Sequence, residues 1–357
     1  MNTPSGSRPT LEHVAKLAGV SLGSASRALS VPDQVKPKTL ASVRRAVEQL
    51  GYVSNGAARA LASRRTYTIG AVYPTMYNQA FVESLHTLQQ TLWGYNYQLV
   101  LAIHEYDPDR EYEVVRAIVE RGVDGVVLAA TSHADRVFDL IRQRRLPLVV
   151  TWQSDEPRYG QSVGFDNRRA TYEMTRRVLG HGHHDIAVVC GSRMHNQRAR
   201  QRVQGTIDAM KEAGLELRPD RIVEVPFSIE GGRTALRQLA GGKGRPTALI
   251  CHTDLQAIGV LHECRALGIR VPEDLSVTGM DDIELSALTT PGLTTLQVPT
   301  REIGRLAARR IVGMIENETV TDPTELDCPI VLRDSLGPVP SGAPKSARGI
   351  RETQVEL

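Results

Sequence analysis

Hydrophobic positions along the chain follow two different rhythms. Up to about residue 53 the spacing is helical. In Thr10 to Ser21 the apolar positions Leu11, Val14, Ala15, Leu17 and Ala18 share one face, Thr10 stands as N-cap and Gly19 ends the helix. Ser21 caps a second helix over 22–29, with Ala25, Ala28 and Leu29 turned inward and the small or polar positions turned outward. A third helix runs from about Pro37 to Leu50, carries the stripe Leu40, Val43, Val47 and Leu50, and stops at Gly51. Two short helices joined by a tight turn, with a third closing a small core, predict a helix-turn-helix unit.

From Thr68 the rhythm changes to short β-branched runs. They lie at 69–72, 98–102, 125–129, 146–150, 186–189, 221–225, 248–250 and 276–278, and helical stretches at 80–93, 109–121, 167–180, 198–213, 230–240 and 254–267 separate them. That order predicts an α/β class with mainly parallel sheets in two doubly wound halves, and a ligand cleft between the strand ends of both. Residues 336–357 are rich in Pro, Gly, Ser and charge and are expected to form a disordered tail.

Charge sharpens the division. The net +3 hides an uneven distribution: residues 1–65 hold ten Lys/Arg against three acids, a local +7, while the remainder is −4. A basic module tethered to a mildly acidic body is the electrostatic footprint of a nucleic-acid reader. The N-terminus lacks the pattern of a signal sequence and no apolar run has spanning length, so a cytoplasmic protein is expected. Cys190, Cys251, Cys264 and Cys328 are scattered, without a Cys-x-x-Cys pair, and read as small hydrophobes. His181, His183, His184 and Asp185 sit in a Gly-containing loop and not on one helical face, so no metal is expected, nor any cofactor. No phosphate-binding glycine loop and no nucleophile elbow appears, which argues against an enzyme.

Particular residues add a resemblance. Val14-Ala15 with Ala18-Gly19-Val20-Ser21, Ser26-Arg27, Leu50-Gly51-Tyr52, Asn55, Ala58-Arg59 and Leu61 resemble the lactose-repressor/galactose-repressor family of transcription factors. The likeness continues at Asp166-Asn167, Asp254, Val271-Pro272-Glu273-Asp274 and Gly279-Met280-Asp281-Asp282. It implies a headpiece over 8–53, a hinge over 54–66 and a periplasmic-binding-protein-like core over 67–335. The core would divide into one subdomain of 67–163 plus 294–321 and another of 164–293 plus 322–335. The implied partners are double-stranded operator DNA, a small-molecule effector and a second copy of the chain; without a C-terminal leucine heptad, a dimer is favoured.

By the same resemblance, Thr10, Ser21, Leu22, Gly23, Ser24, Ser26 and Arg27 form the DNA-facing set of the headpiece. Leu22 could pack on a thymine methyl, Gly23 offers no side chain, and Arg27 reads guanine or holds a phosphate. Asn55, Arg59 and Leu61 match the hinge helix, with Leu61 as the minor-groove wedge. Ser54 stands where the family has proline and Gly56 costs about 1 kcal/mol against Ala, so the hinge is expected to fold only with dimer and DNA present. The implied effector set is Asn78, Gln79, Phe81, Trp152, Arg198, Arg202, Phe227, Thr253 and Asp281. The two arginines favour a sugar acid, as in the gluconate-repressor branch, with neutral sugars kept in play. The expected function is a ligand-responsive repressor of a carbohydrate or sugar-acid operon. The competing class is a periplasmic-type sugar-binding protein without regulatory activity.

Overall fold

The computed structural model describes residues 9–53, 60, 65–129, 133–155, 159–241 and 244–340. The chain divides into two compact units, Met1–Tyr67 and Thr68–Leu357. The expected hinge residues Asn55, Arg59 and Leu61, and tail residues 341–357, lie outside the described set.

In the first unit, α1 (Leu11–Ala18), α2 (Leu22–Ser30) and α3 (Pro37–Leu50) bury Val14, Ala15, Ala25, Ala28, Val43 and Ala46 together. The termini are chemically closed. Thr10 Oγ1 accepts from the His13 amide while His13 Nδ1 accepts from the Thr10 amide, a capping box with histidine in the third position. Gly19 and Gly51 take the left-handed conformation that a helix-ending turn requires. Ser42 Oγ donates to the Ala18 carbonyl at 2.9 Å and pins α3 to the end of α1. Leu17, expected in the core, is instead 50% exposed, because three short helices close around a narrower stripe than the helical spacing suggests.

The second unit carries two sheets. The first takes the order β2 (Gln98–Ile103), β1 (Thr68–Tyr73), β3 (Gly125–Ala129), β4 (Leu148–Thr151), β5 (Gln161–Val163), all parallel. It is flanked by α4 (Gln79–Gly94), α5 (Pro108–Glu120) and α6 (Asp135–Gln143). Its inner strands are buried on both faces, which explains their continuous apolar runs.

After β5 the chain crosses into the second lobe through α7 (Asn167–Gly180), β6 (Ile186–Cys190), α8 (Gln197–Glu212), β7 (Ile222–Glu224), α9 (Ile229–Ala240), β8 (Ala248–Cys251), α10 (Asp254–Ala266), β9 (Ser276–Met280), α11 (Glu284–Leu288) and β10 (Thr294–Leu296). It returns through α12 (Thr300–Glu316) to the first lobe and ends in β11 (Ile330–Val331), antiparallel to β10, giving the order β11-β10-β9-β8-β6-β7.

Two expected boundaries move. Residues 294–296 pair with Thr278–Met280 in the second sheet, so the second crossing falls after Leu296 and not at 294. Strand partnership across 16 residues is invisible to local periodicity. Residues 336–340 are not tail: Leu336 is buried, the Gly337 carbonyl accepts from the His183 ring and from Ser276 Oγ, and the Val339 amide donates to the His181 carbonyl. Their Pro and Gly content resembles disorder, but their backbone groups are paired to the second lobe.

Helix α12 belongs to the first lobe because of one close approach. A Cβ on Gly304 would sit 2.2 Å from the Ser84 carbonyl of α4, and one turn earlier Thr300 Oγ1 donates to Glu83 Oε2 at 2.9 Å. Gly304→Ala is therefore expected to force α4 and α12 apart and cost about 1–3 kcal/mol, read as a lower denaturant midpoint at unchanged m-value.

Candidate functional site

In the headpiece, α2 presents one outward face. Ser21 accepts from the Ser24 amide at 3.2 Å and starts the helix, so Leu22, Gly23, Ser26 and Arg27 emerge exposed from its first two turns. Leu22 is 47% exposed and a Cβ on Gly23 would touch nothing within 4 Å, which leaves the face low and open. The Arg27 side chain makes no hydrogen bond or ion pair among the described residues, while its carbonyl accepts from the Val31 amide at 2.9 Å. Thr10, by contrast, is occupied as the cap of α1.

In the second unit, parallel strands aim their C-terminal ends at a common cleft. Each strand end delivers a wall: Tyr106 after β2, Trp152 after β4, Asn196 after β6, Phe227 after β7, His252 and Thr253 after β8, and Asp281 after β9. Asn78, Phe81, Arg198, Ala199 and Arg202 complete the lining. Eight of the nine expected effector residues meet here. Gln79 does not: it is the first residue of α4, whose N-cap Asn78 takes the cleft-facing place and accepts from the Ala80 amide. Tyr106, Asn196, Ala199 and His252 line it without being in the expected set; for Tyr106, Asn196 and His252 a place on the segment after a strand was the available signal, while Ala199 lies in the first turn of α8.

Several of these residues hold unusual backbone conformations. Tyr106, Trp152 and Asp281 have φ of 62, 69 and 129°, rare for side chains with a Cβ. Such strain persists only where surrounding contacts enforce it and clusters at ligand sites. Trp152 packs edge-on to Phe81, at 4.6 Å between ring centroids, and its carbonyl accepts from Asn167 Nδ2 at 3.0 Å.

Two guanidinium groups dominate the electrostatics. Arg202 is anchored on the protein side: its Nε donates to Asn167 Oδ1 and one terminal nitrogen to the His252 carbonyl, both at 2.8 Å. Burial, then the neighbouring Arg198, lowers its pKa to about 10. Arg198 lies 5.0 Å over the Phe81 ring and 5.8 Å over the Trp152 ring, and its Nε is buried without a hydrogen-bond partner. Burial also lowers the Arg198 pKa, opposed by Tyr106 and Asp281. Burial and the nearby Asp254 push the Asp281 carboxyl well above the usual carboxylate range, against the pull of both arginines. Asp254 itself accepts from Ser286 Oγ and Thr295 Oγ1 at 2.6 Å and from the Ile283 amide at 3.0 Å, and so fixes the segment that carries Asp281.

Elsewhere, both ring nitrogens of His183 are spent, on Thr247 and on the Gly337 carbonyl. Cys190, Cys251 and Cys264 are buried free thiols. Among the described residues, no helix is long and apolar enough to cross a membrane.

Residues 10–55 match the bacterial regulatory proteins of the lacI family, and residues 175–336 match a periplasmic binding protein-like domain. The HTH-type transcriptional regulator GntR of Escherichia coli K12 is 31% identical over 320 residues, 90% of this chain and 96% of that protein. A LacI-family regulator from Silicibacter pomeroyi superposes with a TM-score of 0.84 at 27% identity, covering 92% of this chain and 99% of that one. A complex of the regulator CelR with cellobiose gives 0.66 at 30% identity, covering 92% and 100%. The chain belongs to the lacI family and is a DNA-binding transcription regulator with a ligand-binding core.

Arg202 spans α8, the first crossing and β8's end, so its removal strands two buried acceptors. Arg202→Ala is expected to cost about 2–4 kcal/mol of folding stability, seen as a lowered thermal midpoint even without effector.

Proposed function

We propose that the protein is a cytoplasmic repressor that binds a palindromic operator as a homodimer and responds to a sugar acid in preference to a neutral sugar. The observation that carries the effector class is Arg198, a cleft-lining residue only 5% exposed, its guanidinium flanked by aromatic rings and its buried Nε without a hydrogen-bond partner. A buried cation with an open donor is stabilised by an anionic guest able to accept a charge-assisted hydrogen bond. Asp281, kept towards its neutral form by burial, does not cancel two arginines. The cellobiose complex of CelR supports a carbohydrate frame for the guest.

For the DNA half, the support is the +7 segment with an exposed Arg27 on the open face of α2. Two identical headpieces require two half-sites. Asn55, Arg59 and Leu61 are proposed as the minor-groove hinge on sequence alone. Effector and operator would be coupled only to the extent that the ligand prefers one arrangement of the two lobes.

Two outcomes are expected. Arg27→Ala should weaken operator binding by about 1–3 kcal/mol and relax preference at one base pair per half-site in a binding-site selection; unchanged preference would leave Arg27 as a phosphate contact. In calorimetry, gluconate should bind more tightly than glucose, and Arg198→Ala should remove that margin at a cost of about 2–5 kcal/mol while operator binding persists. Equal affinity for the two sugars would sink the sugar-acid reading.

A further inference from the structure

The cleft has two chambers of very different capacity. The inner one, around Arg198, Arg202, Asp281 and His252, leaves about 20 Å³ open to a water-sized sphere. It is much the tighter of the two, and its paired guanidinium groups suit a compact anionic group such as a carboxylate. The outer chamber opens about 670 Å³, within the roughly 300–1,000 Å³ range of small-molecule sites. Asn78, Tyr106, Asn196 and Phe227 line both, so the two are continuous.

The outer chamber is also chemically distinct. Tyr77, Met194, Val225 and Pro226 make its walls mainly apolar. Tyr77 and Met194 stand 87% and 76% exposed at its rim, and the Tyr106 and Phe227 rings lie 6.1 Å apart, tilted by 38°. Its two carboxylates are paired on the protein, Glu105 with Arg110 and Glu224 with Arg193, whose Nε donates at 2.6 Å. Phe227 is seated by Gly191, where a Cβ would lie 2.1 Å from the ring. A narrow, guanidinium-bearing end thus opens into a mainly apolar, aromatic-walled space more than thirty times larger, where the apolar face of a sugar ring can stack.

We infer that the effector is a two-part carbohydrate acid, its carboxylate held at Arg198 in the inner chamber and a neutral sugar ring held against Tyr77, Tyr106 and Phe227 in the outer one. This rests on the sugar-acid reading and adds a neutral ring to it. Titration calorimetry of the full-length protein with gluconate, lactobionate and lactose separates the parts, because lactobionate is gluconate with a galactosyl ring attached. Lactobionate is expected to bind at least tenfold more tightly than gluconate, and Tyr77→Ala to reduce lactobionate affinity several-fold while changing that for gluconate less than twofold. Gluconate binding as tightly as lactobionate, or no lactobionate binding at millimolar concentration with gluconate bound, overturns the two-part inference and leaves the sugar-acid reading standing. Lactose binding as tightly as lactobionate overturns both.

Discussion

The burial of two guanidinium groups side by side, Arg198 and Arg202 on successive turns of α8, is the constraint on which the second unit's site depends. Desolvating a cation costs several kcal/mol unless acceptors are supplied in the right geometry. Arg202 is supplied from two directions, by Asn167 at the first crossing and by the carbonyl of His252 at the end of β8. Asn167 in turn donates to the Trp152 carbonyl, so one amide joins the second-lobe arginine to the first-lobe strand end. Arg198 receives no such set, and that asymmetry separates a structural arginine from one with a donor to spare.

Around this pair the backbone takes conformations that local preference disfavours. Trp152 and Asp281 turn into positive φ directly after parallel strands and Tyr106 three residues past one, and all three side chains line the cleft. The Asp254 carboxylate holds one of these turns with three hydrogen bonds, and the aromatic contact of Trp152 with Phe81 holds another. The site is therefore assembled by contacts between segments about 30 to 70 residues apart, beyond the reach of any local pattern.

The headpiece is the opposite case. Its caps, turn glycines and inward positions are set within three or four residues, and Thr10, Ser21, Gly19, Pro37 and Gly51 could be read directly. The misreading of Leu17 shows the limit, since periodicity identifies a face but the width of the buried stripe depends on how closely α2 and α3 approach.

By itself, the sequence determined the helix-turn-helix unit, the alternation of strands and helices and the separation of a basic from an acidic segment, because caps, hydrophobic period and charge are local properties that each residue carries with it; the cleft residues were legible only through the family resemblance. Only the tertiary structure decided that Thr294–Leu296 joins the second sheet, that residues 336–340 are paired and not tail, that Asn78 and not Gln79 faces the cleft, and that Arg202 is engaged while Arg198 is open. The reason is that strand partnership, hydrogen-bond saturation and cavity shape belong to pairs of distant residues, and a linear pattern holds no record of which pairs meet.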